Sequence, residues 1–119
     1  MRIERELMRG AGPVAVLKLL QRREMYGYEL VEALARQSGG VLAMGQSTLY
    51  PMLYNLEAKG WIEATTRTAP SGRERKYYRL SERGHRQLVE QTQRWQALVR
   101  AMQALGIVPG PAGEAEGVS

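Results

Sequence analysis

Apolar positions recur with helical spacing in several stretches of the chain and take on strand character around one polar turn. Leu49, Leu53 and Leu56 fall at i, i+4 and i+7 with Met52 beside them, which predicts a helix from about Gly45 to Lys59. Gly60 suits the left-handed end of that helix. Ahead of it, Tyr26, Leu30 and Leu34, widened by Val31, predict a helix from Tyr26 to Gln37 that stops at Gly39-Gly40. Leu7, Val14, Leu17 and Leu20 share a face of a first helix over about residues 4–23. Gly10, Gly12 and Pro13 interrupt it, so its start lies either near residue 4 or near Pro13, a residue suited to a first turn. Ile62 to Thr68 and Lys76 to Leu80 read as two strands around the turn Pro70-Ser71-Gly72. Ser81 is placed to cap a last helix running to about Leu105, with Glu82 favourable in its first turn.

These elements make a mainly α fold with a small β-hairpin: a winged helix-turn-helix followed by a long C-terminal helix. The expected organisation is a winged domain over residues 1–80 with an N-terminal arm, a dimerisation helix over 81–105, and a disordered tail over 106–119, where Gly and Pro are frequent and periodicity is lost. In the last helix Leu88, Thr92, Trp95, Val99 and Met102 step by four and three, as a heptad seam does, and Leu98 and Leu105 widen it. Such a seam beyond the winged domain has no core of its own to fill, so it predicts a homodimer.

Composition narrows the partner. At 119 residues the chain is one small domain, and 44% hydrophobic residues suffice for a core built from Leu, Val, Met and Tyr, since Phe is absent. The net charge is +5, and Arg67, Arg73, Arg75, Lys76 and Arg79 crowd the hairpin, which is the electrostatic footprint of a polyanion partner. No Cys is present, so no disulfide or thiolate metal site is expected. No apolar run approaches the ~20 residues needed to span a bilayer, and the charged N-terminus is unlike a signal peptide. A cytoplasmic protein without a membrane partner is the default.

Enzyme chemistry finds no foothold. The one histidine, His85, lies in a polar run and reads as a surface residue; no metal or cofactor motif is present, and no catalytic residue is assigned. DNA chemistry does find one. Gln46, Ser47 and Thr48 open the third helix, where backbone N–H groups face an incoming anion and these side chains can bond to bases. Lys59, Arg73, Arg75 and Lys76 are phosphate candidates. Trp61 reads as core. Tyr77 and Tyr78, neighbours on a strand, point to opposite faces, one into the core and one over the wing.

Y-G-Y-E-L (Tyr26 to Leu30), S-T-L-Y-P-M-L (Ser47 to Leu53), L-E-A-K-G-W-I (Leu56 to Ile62) and R-K-Y-Y-R-L-S-E-R-G (Arg75 to Gly84) stand in register. Together they resemble the PadR family of bacterial transcription regulators, over roughly residues 10–105. With one C-terminal helix, the chain looks like the small subfamily. The resemblance implies a homodimeric repressor on an inverted-repeat operator in double-stranded DNA, with the first helix starting near Pro13. It makes Tyr50 a phosphate contact. Tyr54, also a candidate DNA contact, stands where relatives often carry a basic residue. Gly45-Gln46 departs from the Ser-Pro common in relatives. In some multidrug-sensing members a Trp on the last helix lines a cavity between subunits. Trp95 with Val99 is similar to that arrangement and would meet a small aromatic or phenolic effector; packing across the dimer without a cavity is the simpler reading. A protein–protein adaptor without DNA binding is the alternative, against which the Arg-rich wing speaks.

Overall fold

The computed structural model describes residues 1–110. Its elements are α1 (Arg5–Arg22), β1 (Met25–Tyr26), α2 (Gly27–Gln37), α3 (Gln46–Ala58), β2 (Ile62–Thr68), β3 (Glu74–Leu80) and α4 (Glu82–Ala104). The strands form one antiparallel sheet in the order β1-β3-β2, and the arrangement is a winged helix-turn-helix. Two compact units divide after Leu88: a winged unit that includes the start of α4, and the chain from Val89 onward.

The core of the winged unit follows the predicted stripes. Leu17, Leu30, Leu34, Leu49, Leu53, Ile62 and Val16 are all but removed from water, each such burial being worth about 1.5–3 kcal/mol. In β3, strand alternation sends Tyr78 into this core and leaves Tyr77 on the outer face, as the neighbour rule requires.

Four expectations change. First, α1 runs unbroken from Arg5 through Pro13, so the N-terminal arm is helix rather than a separate segment. Pro13 removes one internal hydrogen bond, a cost of about 3 kcal/mol in a helix interior. Buried Met8 ahead of it and buried Val16 and Leu17 behind it hold both halves on one core. The segment before the helix is tied down as well, because the Ile3 N–H donates to the Val41 carbonyl at 3.0 Å. Met8 takes the inward position expected of Leu7, which is 57% exposed. Gly12 lies against α3: a Cβ there would be 2.6 Å from the terminal Met52 Cε, which would have to shift. Second, Tyr26 is not helical. With Met25 it forms the short third strand, pairing Met25 with Tyr78 and Tyr26 with Tyr77. A two-residue strand leaves no periodic signal. Third, Leu88 belongs to the buried core of the winged unit and not to a surface seam. Fourth, backbone hydrogen bonds continue past residue 105. Gly106, at φ 80°, turns back so that its N–H reaches the Gln103 carbonyl and the Ile107 N–H reaches that of Met102, at 3.0 and 2.9 Å. The rest of the expected tail, residues 111–119, lies outside the described residues.

The end of α3, the base of the wing and the start of α4 meet at Ser81. Gly60, at φ 76°, ends α3, with its N–H on the Glu57 carbonyl at 2.9 Å and the Trp61 N–H on the Leu56 carbonyl at 3.1 Å. The Ser81 hydroxyl donates to the Gly60 carbonyl at 2.6 Å and accepts the Gly84 N–H at 3.0 Å, the helix cap that the sequence predicts. The Ser81 N–H donates to the Trp61 carbonyl at 3.1 Å. Gly84 is pressed so close that a Cβ would fall inside the Trp61 carbonyl oxygen and against Leu80.

Two substitutions test this junction. Gly84→Ala forces backbone apart and is expected to cost about 3 kcal/mol or more. Ser81→Ala loses a cap and leaves the Gly60 carbonyl without its donor, at about 1–2 kcal/mol. Urea unfolding followed by circular dichroism measures both; a Gly84→Ala protein as stable as wild type would show that the close approach is not a real constraint.

Candidate nucleic-acid interface

α3 divides cleanly into two faces. Leu49, Leu53 and Leu56 are buried, while Gln46, Ser47, Thr48, Tyr50, Pro51, Tyr54 and Asn55 are exposed. Gly45 is the N-cap, and its carbonyl accepts the Thr48 and Leu49 N–H groups at 3.1 and 3.0 Å. No side chain caps the helix. Among the described residues the N–H groups of Gln46 and Ser47 have no acceptor, so the positive end of the helix is presented outward. Pro51 lies inside the helix without breaking it, and because it has no N–H the Ser47 carbonyl is also left outside the helical ladder.

The two exposed tyrosines differ. The Tyr50 hydroxyl rests on the backbone of Gly27 at the start of α2, where a Cβ would lie only 2.6 Å from it. Its position is therefore fixed by a neighbouring helix. Tyr54, one turn on, is 73% exposed. The Y-G-Y motif thus has a packing reason: its glycine makes room for Tyr50. The Tyr26 N–H is held by Glu29 at 3.1 Å, and Glu29 also pairs with Arg23 at 3.1 Å.

The wing does not offer all of its cations equally. Alternation puts Lys76 on the face of β3 shared with Tyr78, and puts Arg75, Tyr77 and Arg79 on the outer face. Arg67 and Arg75 are cross-strand partners, an arrangement of like charges that is unfavourable by itself. Each is accommodated by an aromatic ring: Arg67 lies 3.9 Å from the centre of Tyr77 and Arg75 lies 4.4 Å from that of Tyr26. The two rings meet edge to face at 5.5 Å. Arg67 is also paired with Glu24, and Arg79 with Glu63 at 3.7 Å. Lys76 Nζ lies 3.3 Å from Glu57 Oε1 of α3. Its pKa is held above the ordinary lysine value by the Tyr78 oxygen and then by Glu57, so it is fully charged at neutral pH. Burial pushes the Tyr78 hydroxyl upward in turn. Lys59 sits 4.7 Å over the ring of half-buried Trp61. Arg73, at the turn after Gly72, is exposed and has no carboxylate partner among the described residues.

The structure therefore brings Gln46, Ser47, Thr48, Tyr50 and Tyr54 onto one outward face, and separates Arg75 from Lys76 by the thickness of the sheet. Glu57, Glu24 and Glu63 were not singled out from the sequence. The strand alternation was a usable signal for the two faces, but the ion pairs needed tertiary contacts.

In the second unit, Thr92, Leu98, Val99 and Leu105 of the seam are exposed, and Trp95 and Met102 are half-buried. Val89, Ile107 and Val108 add exposed apolar surface. Among the described residues no helix is long and apolar enough to cross a membrane.

Similarity to known proteins agrees with this geometry. The sequence profile of the transcriptional regulator PadR-like family matches residues 16–90. A PadR family transcriptional regulator from Eggerthella lenta is 35% identical, with a TM-score of 0.74, over 84% of this chain and 85% of that one. A Streptococcus transcriptional regulator is 32% identical with a TM-score of 0.75, over 87% and 99%. Bacillus subtilis PadR in complex with operator DNA is 28% identical with a TM-score of 0.62, over 67% of this chain and 45% of that larger one. From the four motifs in register, the winged fold they build and the matched span, the chain belongs to the PadR-like family of transcriptional regulators.

Proposed function

We propose that this protein is a cytoplasmic, homodimeric repressor that binds an inverted-repeat operator in duplex DNA through α3 and the wing. The observation that carries the reading is the outward face of α3. It is polar, uncapped at its N-terminus and unused by the core, and it stands beside a wing whose tip presents Arg73. Gln46, Ser47 and Thr48 serve base edges, with Tyr54 alongside, and Tyr50, Lys59, Arg73, Arg75 and Lys76 serve phosphates. The operator complex of the Bacillus subtilis relative supports this use of the fold.

The second unit supplies the dimer. Thr92, Trp95, Leu98, Val99 and Met102 form the interface, without Leu88, which the winged core already uses. An exposed apolar seam on a single helix gains most by meeting a second copy of itself. Trp95 and Val99 face the partner near the two-fold, where a small aromatic or phenolic effector would stack. Such an effector weakens DNA binding only if it prefers a dimer shape in which the recognition helices are no longer about 34 Å apart.

Three outcomes are expected. Gel shifts on the protein's own promoter region weaken linearly in log K against log salt, and Arg73→Ala lowers affinity for all sequences alike while Gln46→Ala changes which site is preferred. Binding that is flat in salt, or an Arg73→Ala protein with altered site preference, contradicts these roles.

Leu98→Asp or Val99→Asp puts an unpaired charge into the seam. Sedimentation is expected to show monomer, with operator binding lost; a variant that stays dimeric moves the interface elsewhere.

Planar aromatic cations are expected to quench tryptophan fluorescence in the wild type and much less in Trp95→Leu, with Trp61 kept in both. Equal quenching in the two proteins places any effector away from Trp95.

A further inference from the structure

α3 carries one formally charged side chain, Glu57. The charge is negative, on the helix that the proposed reading sets against a polyanion, and that reading gives it no task. The Lys76 ammonium donates to the Glu57 carboxylate at 3.3 Å, across from β3. Lys76 Nζ also lies 5.5 Å from the centre of the Tyr78 ring, on the inner face of the wing. The paired side chains are 51% and 37% exposed, so a phosphate can reach them. An ion pair this exposed contributes little to stability; the fold does not need it.

We propose that Glu57 is a built-in competitor for DNA phosphate: it holds Lys76 in an internal ion pair and so limits the affinity of the α3–wing surface. This rests on the DNA-binding reading above. A phosphate that approaches Lys76 must displace or share the carboxylate, exchanging one anion for another with little net gain. A lysine already neutralised within the chain also adds little to the counterion release that drives binding. The outer-face arginines are arranged differently: Arg67 and Arg79 pair with Glu24 and Glu63, which do not lie on α3. Glu57 is thus the carboxylate placed to set how tightly the reading helix and wing together hold DNA, and Lys76 is the residue through which it acts.

The test is a double-mutant cycle on the full chain, read by fluorescence anisotropy with a labelled duplex of mixed sequence, between about 50 and 200 mM salt. Glu57→Gln keeps the shape of the side chain and removes its charge. It is expected to bind roughly three- to tenfold tighter, with the slope of log K against log salt steeper by about one. Lys76→Gln removes a phosphate contact and is expected to bind a few-fold more weakly than wild type, and the double variant to match Lys76→Gln within about twofold. Thermal melts of all three are expected to match wild type, and Glu57→Ala provides a second route to the same charge change. Unchanged affinity and slope in both Glu57 variants overturn the proposal. A gain that persists when Lys76 is absent also overturns it, since Glu57 would then act as bulk negative charge. Wild-type protein that shows no salt-dependent binding overturns the DNA-binding reading itself, a result distinct from either.

Discussion

One hydroxyl group joins the parts of this protein that have to keep a fixed relation. Ser81 bonds at once to the last turn of α3 and to the first turn of α4, while its backbone N–H extends the ladder at the base of the wing. The junction is closed by two glycines used for different reasons. Gly60 supplies a left-handed backbone that turns its carbonyl toward Ser81, and Gly84 supplies the missing Cβ that lets α4 touch the Trp61 carbonyl. The angle between α3 and the wing, and the point at which α4 starts, are set within these few residues. A surface made of a helix and a hairpin keeps one shape only if such a joint is stiff.

On that frame, the chain separates neutral recognition from charge. The outward face of α3 holds amides, hydroxyls and phenols, and the cations stand on the wing. Their number overstates their availability, because aromatic rings and carboxylates hold most of them in place. A guanidinium stacked on a tyrosine remains charged but loses rotamer freedom, so it meets a phosphate with less entropy to lose. An ammonium held by a carboxylate is positioned at the expense of its charge. The two faces of the same hairpin therefore make different contributions to an electrostatic surface.

The N-terminal half of α1 shows tertiary packing overriding local preference. Gly10, Gly12 and Pro13 weaken the helix there, and the sequence alone leaves its start undecided. The core decides it: Met8 is buried, Gly12 admits Met52, and the Ile3 N–H is bonded to the Val41 carbonyl. At the other end, α4 begins in the core with Leu88 and continues into the second unit, where Thr92, Leu98 and Val99 of the seam are exposed among the described residues.

The sequence by itself determined the elements that announce themselves by period and punctuation. The Leu49-Leu53-Leu56 stripe, the stop at Gly60, the Ser81 cap, the turn at Pro70-Ser71-Gly72 and the opposite facing of Tyr77 and Tyr78 all follow from local rules, because helix and strand periods and cap chemistry act over a few residues. The family motifs were legible as a resemblance, and the structure adds a reason for two of their glycines: a Cβ at Gly84 would strike the Trp61 carbonyl, and one at Gly27 would meet the Tyr50 ring. The sequence could not give the strand of Met25 and Tyr26, the burial of Leu88 or the helical course through Pro13. Nor could it show that Glu57 meets Lys76 while Arg75 turns to Tyr26. Each of these depends on a partner distant in the chain, and charge counting treats as equal the cations that three-dimensional contact divides into free, stacked and neutralised.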